Sequence, residues 1–297
     1  MVQKEKLKEQ KEEGEKSESV HIEHREDKES LSSSKYPESV HVSEEILAPA
    51  EIEESEKEAV VEIAKSNIEE WLPKTEIGRK VKSGEIKEID EILDYGKKIL
   101  EVEIVDALSP ELEKDLLMIG QSKGKFGGGK RRVFKQTQKK TKEGNKPKFS
   151  TVAVIGDKNG HVGIGFGKSK ETVPAREKAF RNAKLNIFKI RRGSGDWESE
   201  VAGIPTSLPF KVSGKCGSVK LTLIPAPKGT GLCVEKECAK ILRLAGINDV
   251  WSRTIGQTGS KVNLIKACES ALKKLTAVKV QKRYYSELGL VEGAIKQ

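Results

Sequence analysis

Between residues 121 and 148 the chain carries 11 Lys/Arg and a single Glu, interleaved with glycines and two phenylalanines. Side chains of this kind at this density are suited to neutralising phosphate: ammonium and guanidinium groups pair with phosphate oxygens and release the counterions that a nucleic acid holds. Within the segment, Gly127-Gly128-Gly129-Lys130-Arg131-Arg132 sets three residues without side chains beside three cations. Bare backbone lets amides approach phosphate oxygens while neighbouring charge holds them. A solvated linker would also be rich in glycine, but linkers seldom concentrate one sign of charge in this way. Lys123, Lys125, Gly127, Gly128, Gly129, Lys130, Arg131, Arg132 and Lys135 are therefore candidate RNA-binding residues.

Other chemistries fit less well. Gly167-Lys168-Ser169, between a predicted strand and a predicted helix, resembles the end of a nucleotide phosphate loop, but that loop needs a glycine five residues before Gly167 and the position holds Val162. Gly163-x-Gly165 fails as a dinucleotide fingerprint because Phe166-Gly167 shortens the pattern and no βαβ unit follows. His21, His24 and His41 fall in an acidic N-terminal segment, which leaves His161 without a nucleophile or paired acids, so neither a catalytic residue nor a cofactor is expected. Cys216, Cys233, Cys238 and Cys268 form no Cys-x-x-Cys pair; Cys233 and Cys238 could approach on a helix, but buried thiols in a reducing, cytoplasmic compartment are the expectation, with no metal site. Trp197 and Trp251 are expected as core anchors.

The elements that must position the cations follow from periodicity. A strand is predicted over 149–155 and a hairpin turn at Asn159-Gly160, a pair that tolerates positive φ at both central positions. In the return strand Val162, Ile164 and Phe166 alternate with Gly163, Gly165 and Gly167, so one face is apolar and the other bare. The bare face suits either a closely packed helix, the favoured reading, or direct approach of RNA. After Lys168 and Lys170, Pro174 fits a first helical turn, and Ala175, Ala179, Ala183 and Ile187 recur at four-residue steps. The polar positions of this helix include Arg176, Lys178, Arg181, Lys184 and Lys189, and it is predicted to run through Arg191-Arg192 until Gly193-Ser194-Gly195. Val133 and Phe134 beside Lys135 and Gln136 predict a strand that pairs with the hairpin, leaving 123–130 as a loop.

Charge divides the chain. Residues 1–70 hold 10 Lys/Arg against 21 Asp/Glu, whereas 71–297 hold 45 against 25, so a segment at −11 precedes a body at +20. A body so charged attracts polyanions. An anionic membrane surface is the alternative, but no lipidation signal or apolar run of spanning length is present. Residues 1–65 have the composition of a disordered acidic tail, and 66–120 of a helical extension. In the extension Ile86, Ile89, Ile92 and Leu93 share a stripe, and Ser109-Pro110-Glu111 before Leu112, Leu116 and Leu117 reads as a helix start.

A second unit begins after Pro205 and Pro209. Two strands are predicted around a Gly214-Lys215-Cys216-Gly217 turn, then a helix opened by Gly229-Thr230-Gly231 and closed by Gly246, a strand over 250–255 and a final helix carrying Val262 to Leu275, a ββαβα order with residues 279–297 as a tail. In Pro225-Ala226-Pro227-Lys228-Gly229-Thr230-Gly231 the glycines and Lys228 could present amides and charge to a phosphate, or merely form a tight connection. The cations Lys168, Lys170, Arg176, Arg181, Lys184, Arg191, Arg192, Lys215 and Lys228 complete the candidate RNA-binding set.

Read in order, Glu70-Trp71-Leu72-Pro73-Lys74-Thr75, Val154-Ile155-Gly156-Asp157, Gly163-Ile164-Gly165-Phe166-Gly167-Lys168, Ala183-Lys184-Leu185-Asn186-Ile187, Val212-Ser213-Gly214-Lys215-Cys216-Gly217-Ser218-Val219, Ile224-Pro225-Ala226-Pro227 and Ala245-Gly246-Ile247-Asn248-Asp249-Val250-Trp251 resemble the small-subunit ribosomal protein five family in its archaeal/eukaryotic branch. The resemblance runs from Trp71 to Leu275. It implies an α+β fold, with a double-stranded-RNA-binding-like N-terminal domain over 121–195 followed by a two-layer α/β sandwich over 205–278. It also implies a structural role in the small ribosomal subunit, on its rRNA near the decoding centre and the channel by which messenger RNA enters, beside small-subunit proteins four and eight, supporting assembly and accuracy. Residues 123–132 match the family's RNA-contacting loop. The alternative is a free double-stranded-RNA-binding regulator or RNA-processing accessory protein.

Overall fold

The computed structural model describes residues 71–121, 131–194, 205–281, 283, 285 and 289–294. Residues 1–65, the loop over 123–130, Gly195 and Trp197 lie outside them. Three short helices come first: α1 (Glu76–Lys82), α2 (Ile89–Asp94) and α3 (Val102–Leu108). None is long enough to persist alone in water. They persist because Val81, Ile89, Ile92, Ile104 and Val105 share a core with Trp71, Ile99, Ile155, Ala183 and Ile187. Glu101 fastens the start of the segment, accepting from Trp71 Nε1 at 2.9 Å and from the backbone amides of Lys74 and Thr75 at 2.9 and 2.5 Å. The predicted stripe of Ile89 and Ile92 is the buried face of α2.

The predicted helix after Ser109 is a strand, β1 (Glu113–Leu117). Its leucines sit at helical spacing, but a short apolar run is ambiguous and the available edge decides it. β1 pairs antiparallel with β5 (Gly144–Gly156), setting fully buried Leu117 opposite Val152. β2 (Gly120–Gln121) and β3 (Arg131–Arg132) pair antiparallel, and β4 (Lys135–Thr141) pairs with β5 as the sequence predicts. β5 is therefore partnered along one edge first by β4 and then by β1, and along the other by β6 (His161–Ser169). The connection from β5 to β6 is not a two-residue Asn-Gly turn. Positive φ falls at Lys158 and Gly160, and Asp157 Oδ1 accepts from the amides of Asn159 at 2.7 Å and His161 at 3.0 Å, which closes a four-residue loop.

Helix α4 (Thr172–Leu185) lies on the bare face of β6. A Cβ on Gly163, Gly165 or Gly167 would stand 2.3, 2.1 and 2.0 Å from the carbonyl oxygens of Ala183, Ala179 and Ala175. The glycine stripe of β6, at two-residue steps, and the alanine stripe of α4, at four-residue steps, thus bring helix and sheet backbones together, and the glycine stripe serves packing. Contrary to the prediction, the helix stops at Leu185, with Asn186 capping at φ −110°, and Ile187 turns out to pair with Gly163 in β7 (Ile187–Lys189). Arg191 and Arg192 form β8 (Arg191–Arg192).

The second unit contains β9 (Val212–Cys216), β10 (Val219–Pro225), β11 (Leu232–Cys233), α5 (Lys236–Leu244), β12 (Val250–Ile255) and α6 (Lys261–Ala277), in sheet order β11-β12-β10-β9. The expected ββαβα order is present, with β11 added, and the mixture of helices with largely antiparallel sheets is α+β. Two turns shift. Cys216 pairs with Val219, so the turn is Gly217-Ser218, while Gly214 lies within β9, where a Cβ would meet the Ala267 carbonyl of α6 at 2.0 Å. Gly229 and Gly231 precede β11 and do not open a helix. The chain after Val278 is also more than a tail: β13 (Val291–Glu292) pairs with β8.

The larger core joins the two sheets, with Leu117, Val152, Val154, Val162 and Ile164 of the first packed with Leu221, Leu223, Ile241, Leu242, Ile265 and Leu272 of the second. Glu237, buried at the start of α5, accepts from the amide of Met118 at 2.8 Å and fixes that junction. Trp251 is not a core anchor: it is 44% exposed.

Candidate nucleic-acid interface

β5 outruns its neighbour. Only residues 149–156 face β6, so 144–148 continue with β4 as a two-stranded arm beyond the sheet. Directly opposed residues share a face. Lys135, Ser150 and Lys168 stand in one row across three strands, followed outward by Thr137 with Lys148 and Lys139 with Lys146. The strand face that carries Val152 and Val154 into the core thus becomes a face of lysines once it leaves the body. Lys135, Lys139, Lys146, Lys148 and Lys168 are all exposed, as are Lys140 on the opposite face and Lys142 at the tip. Glu143, the arm's one acid, is bound by Lys146 at 2.6 Å. Of these side chains the sequence-derived set contained only Lys135 and Lys168. The alternation that identifies the others is masked in the sequence because lysines fall on both faces.

Arg131 and Arg132 border a hollow of about 500 Å³, lined also by Phe134, Lys135, Phe149 and the first turn of α6 at Ser260, Lys261 and Val262. Lys261 is held by Glu235 at 2.5 Å. Beside the arm, Lys170, Arg176, Lys178 and Arg181 are exposed and make no ion pair among the described residues. Lys215 and Lys228 are exposed on the second unit.

Three candidates are occupied inside the protein. Lys184 reaches Asp106 of α3 at 2.5 and 2.7 Å. Arg191, 5% exposed, donates to Glu292 at 2.7 Å and to the Val278 carbonyl at 2.7 Å. Arg192, 2% exposed, donates to the carbonyls of Lys158 and Gly293. These cations hold the helical extension and the C-terminal segment against the first sheet, which the sequence could not reveal because their partners lie 34 to 101 residues away. The glycine loop before β11 likewise has its anion already: Asp249 Oδ1 accepts from Gly231 N at 2.8 Å and Gly229 N at 3.1 Å. It is a tight connection tied to the protein's own carboxylate. Lys123, Lys125, Gly127, Gly128, Gly129 and Lys130 lie outside the described residues.

His161 is buried between two acids, Nδ1 2.6 Å from Asp157 and Nε2 2.8 Å from Asp90. Burial alone would push the imidazole pKa down, but the hydrogen bonds and charges of Asp157 and Asp90 prevail and raise it to about 9. Burial opposes ionisation of the acids too, yet the His161 contacts hold both below their ordinary value of 3.8. Asp90 also accepts from the Ala294 amide at 3.3 Å, so one ion cluster joins α2, the β5–β6 loop and the C-terminal segment. Its role is to hold these three pieces.

Two families match the chain: "Ribosomal protein S5, N-terminal domain" over residues 130–191 and "Ribosomal protein S5, C-terminal domain" over 214–283. The chain is 50% identical over 229 residues to the small ribosomal subunit protein uS5 of Nanoarchaeum equitans, covering 77% of this chain and 98% of that one. It is 46% identical over 224 residues to the uS5 of Methanothermobacter thermautotrophicus, covering 75% and 96%. To the uS5 of Methanococcus maripaludis it is 42% identical over 242 residues, covering 82% and 99%.

Proposed function

The chain belongs to the ribosomal protein S5 family, in its archaeal branch, and from that premise we propose that the lysine arm of β4 and β5, with Arg131 and Arg132, is its principal clamp on small-subunit rRNA. The protein is a structural, non-enzymatic constituent of the small ribosomal subunit and acts in the cytoplasm as part of that particle. The observation that carries the proposal is the register-aligned lysine face, whose single neighbouring acid is already paired. A two-stranded ribbon is narrow enough to follow a groove, and its cations meet phosphates without reading bases.

The contact set is Lys123, Lys125 and Gly127 to Arg132 from the cationic run of the sequence, with Lys135, Lys168 and Lys170 at the arm's root and Arg176 and Arg181 on α4. The unit over 121–195 acts as a double-stranded-RNA-binding-like domain and that over 205–278 as the family's sandwich. The place near the decoding centre and the messenger channel, beside proteins four and eight, belongs to the same proposal.

Cosedimentation tests the reading. The tagged chain is expected to remain with small subunits through a high-salt gradient, whereas a free double-stranded-RNA regulator would stay at the top. Replacing Lys130, Arg131 and Arg132 by Ala is expected to weaken rRNA-fragment binding and to flatten the slope of log K against log salt by roughly 0.9 for each phosphate that is no longer neutralised. Unchanged affinity and slope in a filter-binding titration would remove those residues from the interface.

A further inference from the structure

Among the described residues the second sheet carries helices on one face alone. Register places Lys215 and Ser213 of β9, Lys220, Thr222 and Ile224 of β10, and Trp251, Arg253 and Ile255 of β12 on the other face, in the rows Ile224–Trp251, Ser213–Thr222–Arg253 and Lys215–Lys220–Ile255. The inward alternates Val219, Leu221, Leu223 and Val250 are fully buried. On the outward side Trp251 and Ile255 are 44% and 54% exposed, and Lys215, Lys220 and Arg253 are exposed. Lys211, Lys220 and Arg253 border a shallow depression of about 380 Å³ floored by Ser213 and Thr222. Residues 211–216, 219–225 and 250–255 contain no Asp or Glu.

We propose that this open face is a second RNA site, which binds a single-stranded segment by stacking a base on Trp251 and holding the flanking phosphates with Lys215, Lys220 and Arg253. The arguments are charge and shape. Three cations on three strands, with Lys211 beside them and no carboxylate among them, favour a polyanion over a protein patch of mixed charge. A flat sheet that presents an indole beside cations suits splayed bases, whereas a duplex keeps its bases stacked inside. A solvated surface explains the cations but not an indole left on a sheet face that no described element covers. The inference rests on the chain being an RNA binder, but it uses a different sheet from the lysine arm and a different form of RNA.

The test is a titration of the full chain with a labelled ten-nucleotide oligouridylate and, separately, with an RNA duplex, read by anisotropy and by tryptophan fluorescence. The single strand is expected to quench a component of emission that is absent from Trp251→Phe. Trp251→Ala and Arg253→Ala should each weaken single-strand binding about tenfold, with Trp251→Phe retaining most of the affinity. Duplex binding should be unchanged in all three variants, which also shows that they are folded. Single-strand affinity indifferent to Trp251→Ala and Arg253→Ala overturns the proposal. So does Trp251→Ala that binds both RNAs normally yet fails to enter small subunits, since that result makes the face a protein contact. Duplex binding without single-strand binding overturns this site alone; loss of both in the wild type overturns the RNA reading itself.

Discussion

His161 shows how one side chain can make a fold depend on pH. Its imidazolium is bonded to Asp157 and Asp90, which belong to the β5–β6 loop and to α2, and Asp90 also holds the C-terminal segment through Ala294. The folded pKa of about 9 stands above the ordinary 6.5, so the cluster's contribution is complete below pH 6.5 and is lost as pH rises from there through 9. Both acids are depressed below 3.8, so their contribution is complete above that value and lost as pH falls through their folded values. Stability should therefore peak between about pH 4 and 6.5 as far as this cluster decides it. His161→Gln is expected to cost about 3 kcal/mol at pH 6, because it leaves two acids without their cation, and much less at pH 9.5. Urea unfolding of both proteins at the two pH values checks this; an equal gap at both would separate the slope from His161. Sequence alone reveals the lone histidine but not its function, because Asp90 is 71 residues distant.

At the scale of elements, the glycine stripe of β6 is the most sharply specified packing in the molecule. Its bare face lets the backbone of α4 approach so closely that any Cβ meets a carbonyl oxygen, and neither partner is the end of a flexible side chain. Gly165→Ala, with its new methyl 2.1 Å from the Ala179 carbonyl, should destabilise by about 3 kcal/mol or more, whereas Ala at Gly259, which has only the Gln257 side chain nearby at 3.8 Å, should change stability little. Thermal melts of the two variants give the comparison. The stripe was legible because period two in the strand met period four in Ala175, Ala179 and Ala183. The strand β12 and the helix α6 were legible for the same reason, each having a period long enough to be unambiguous. β1 was not: Leu112, Leu116 and Leu117 fit a helix, and the edge of β5 that recruits 113–117 lies 35 to 43 residues on. Nor was the outward face of Trp251, since an indole in an apolar strand gives no sign of which sheet face will be left uncovered.

For the whole molecule, the decisive quantity is the separation of charge. Residues 71–297 carry +20 and the first 70 carry −11, so the formal +9 of the chain is the difference between two opposed fields. Every described core residue lies at or after Trp71, and both hydrophobic clusters are assembled from residues 71–275. Removing residues 1–70 should therefore leave the core's contacts in place while more than doubling the net positive charge. At low ionic strength the truncated chain should associate with an rRNA fragment about tenfold faster than the full chain, because the acidic segment either repels the polyanion or competes for the same cations. The advantage should shrink as the Debye length falls from about 10 Å at 0.1 M salt toward 3 Å at 1 M. Stopped-flow association at several salt concentrations distinguishes this from a change in fold, which would alter the rate at all of them. Equal rates at low salt would mean that the lysine arm and the open sheet face are already insulated from the acidic segment in the full chain.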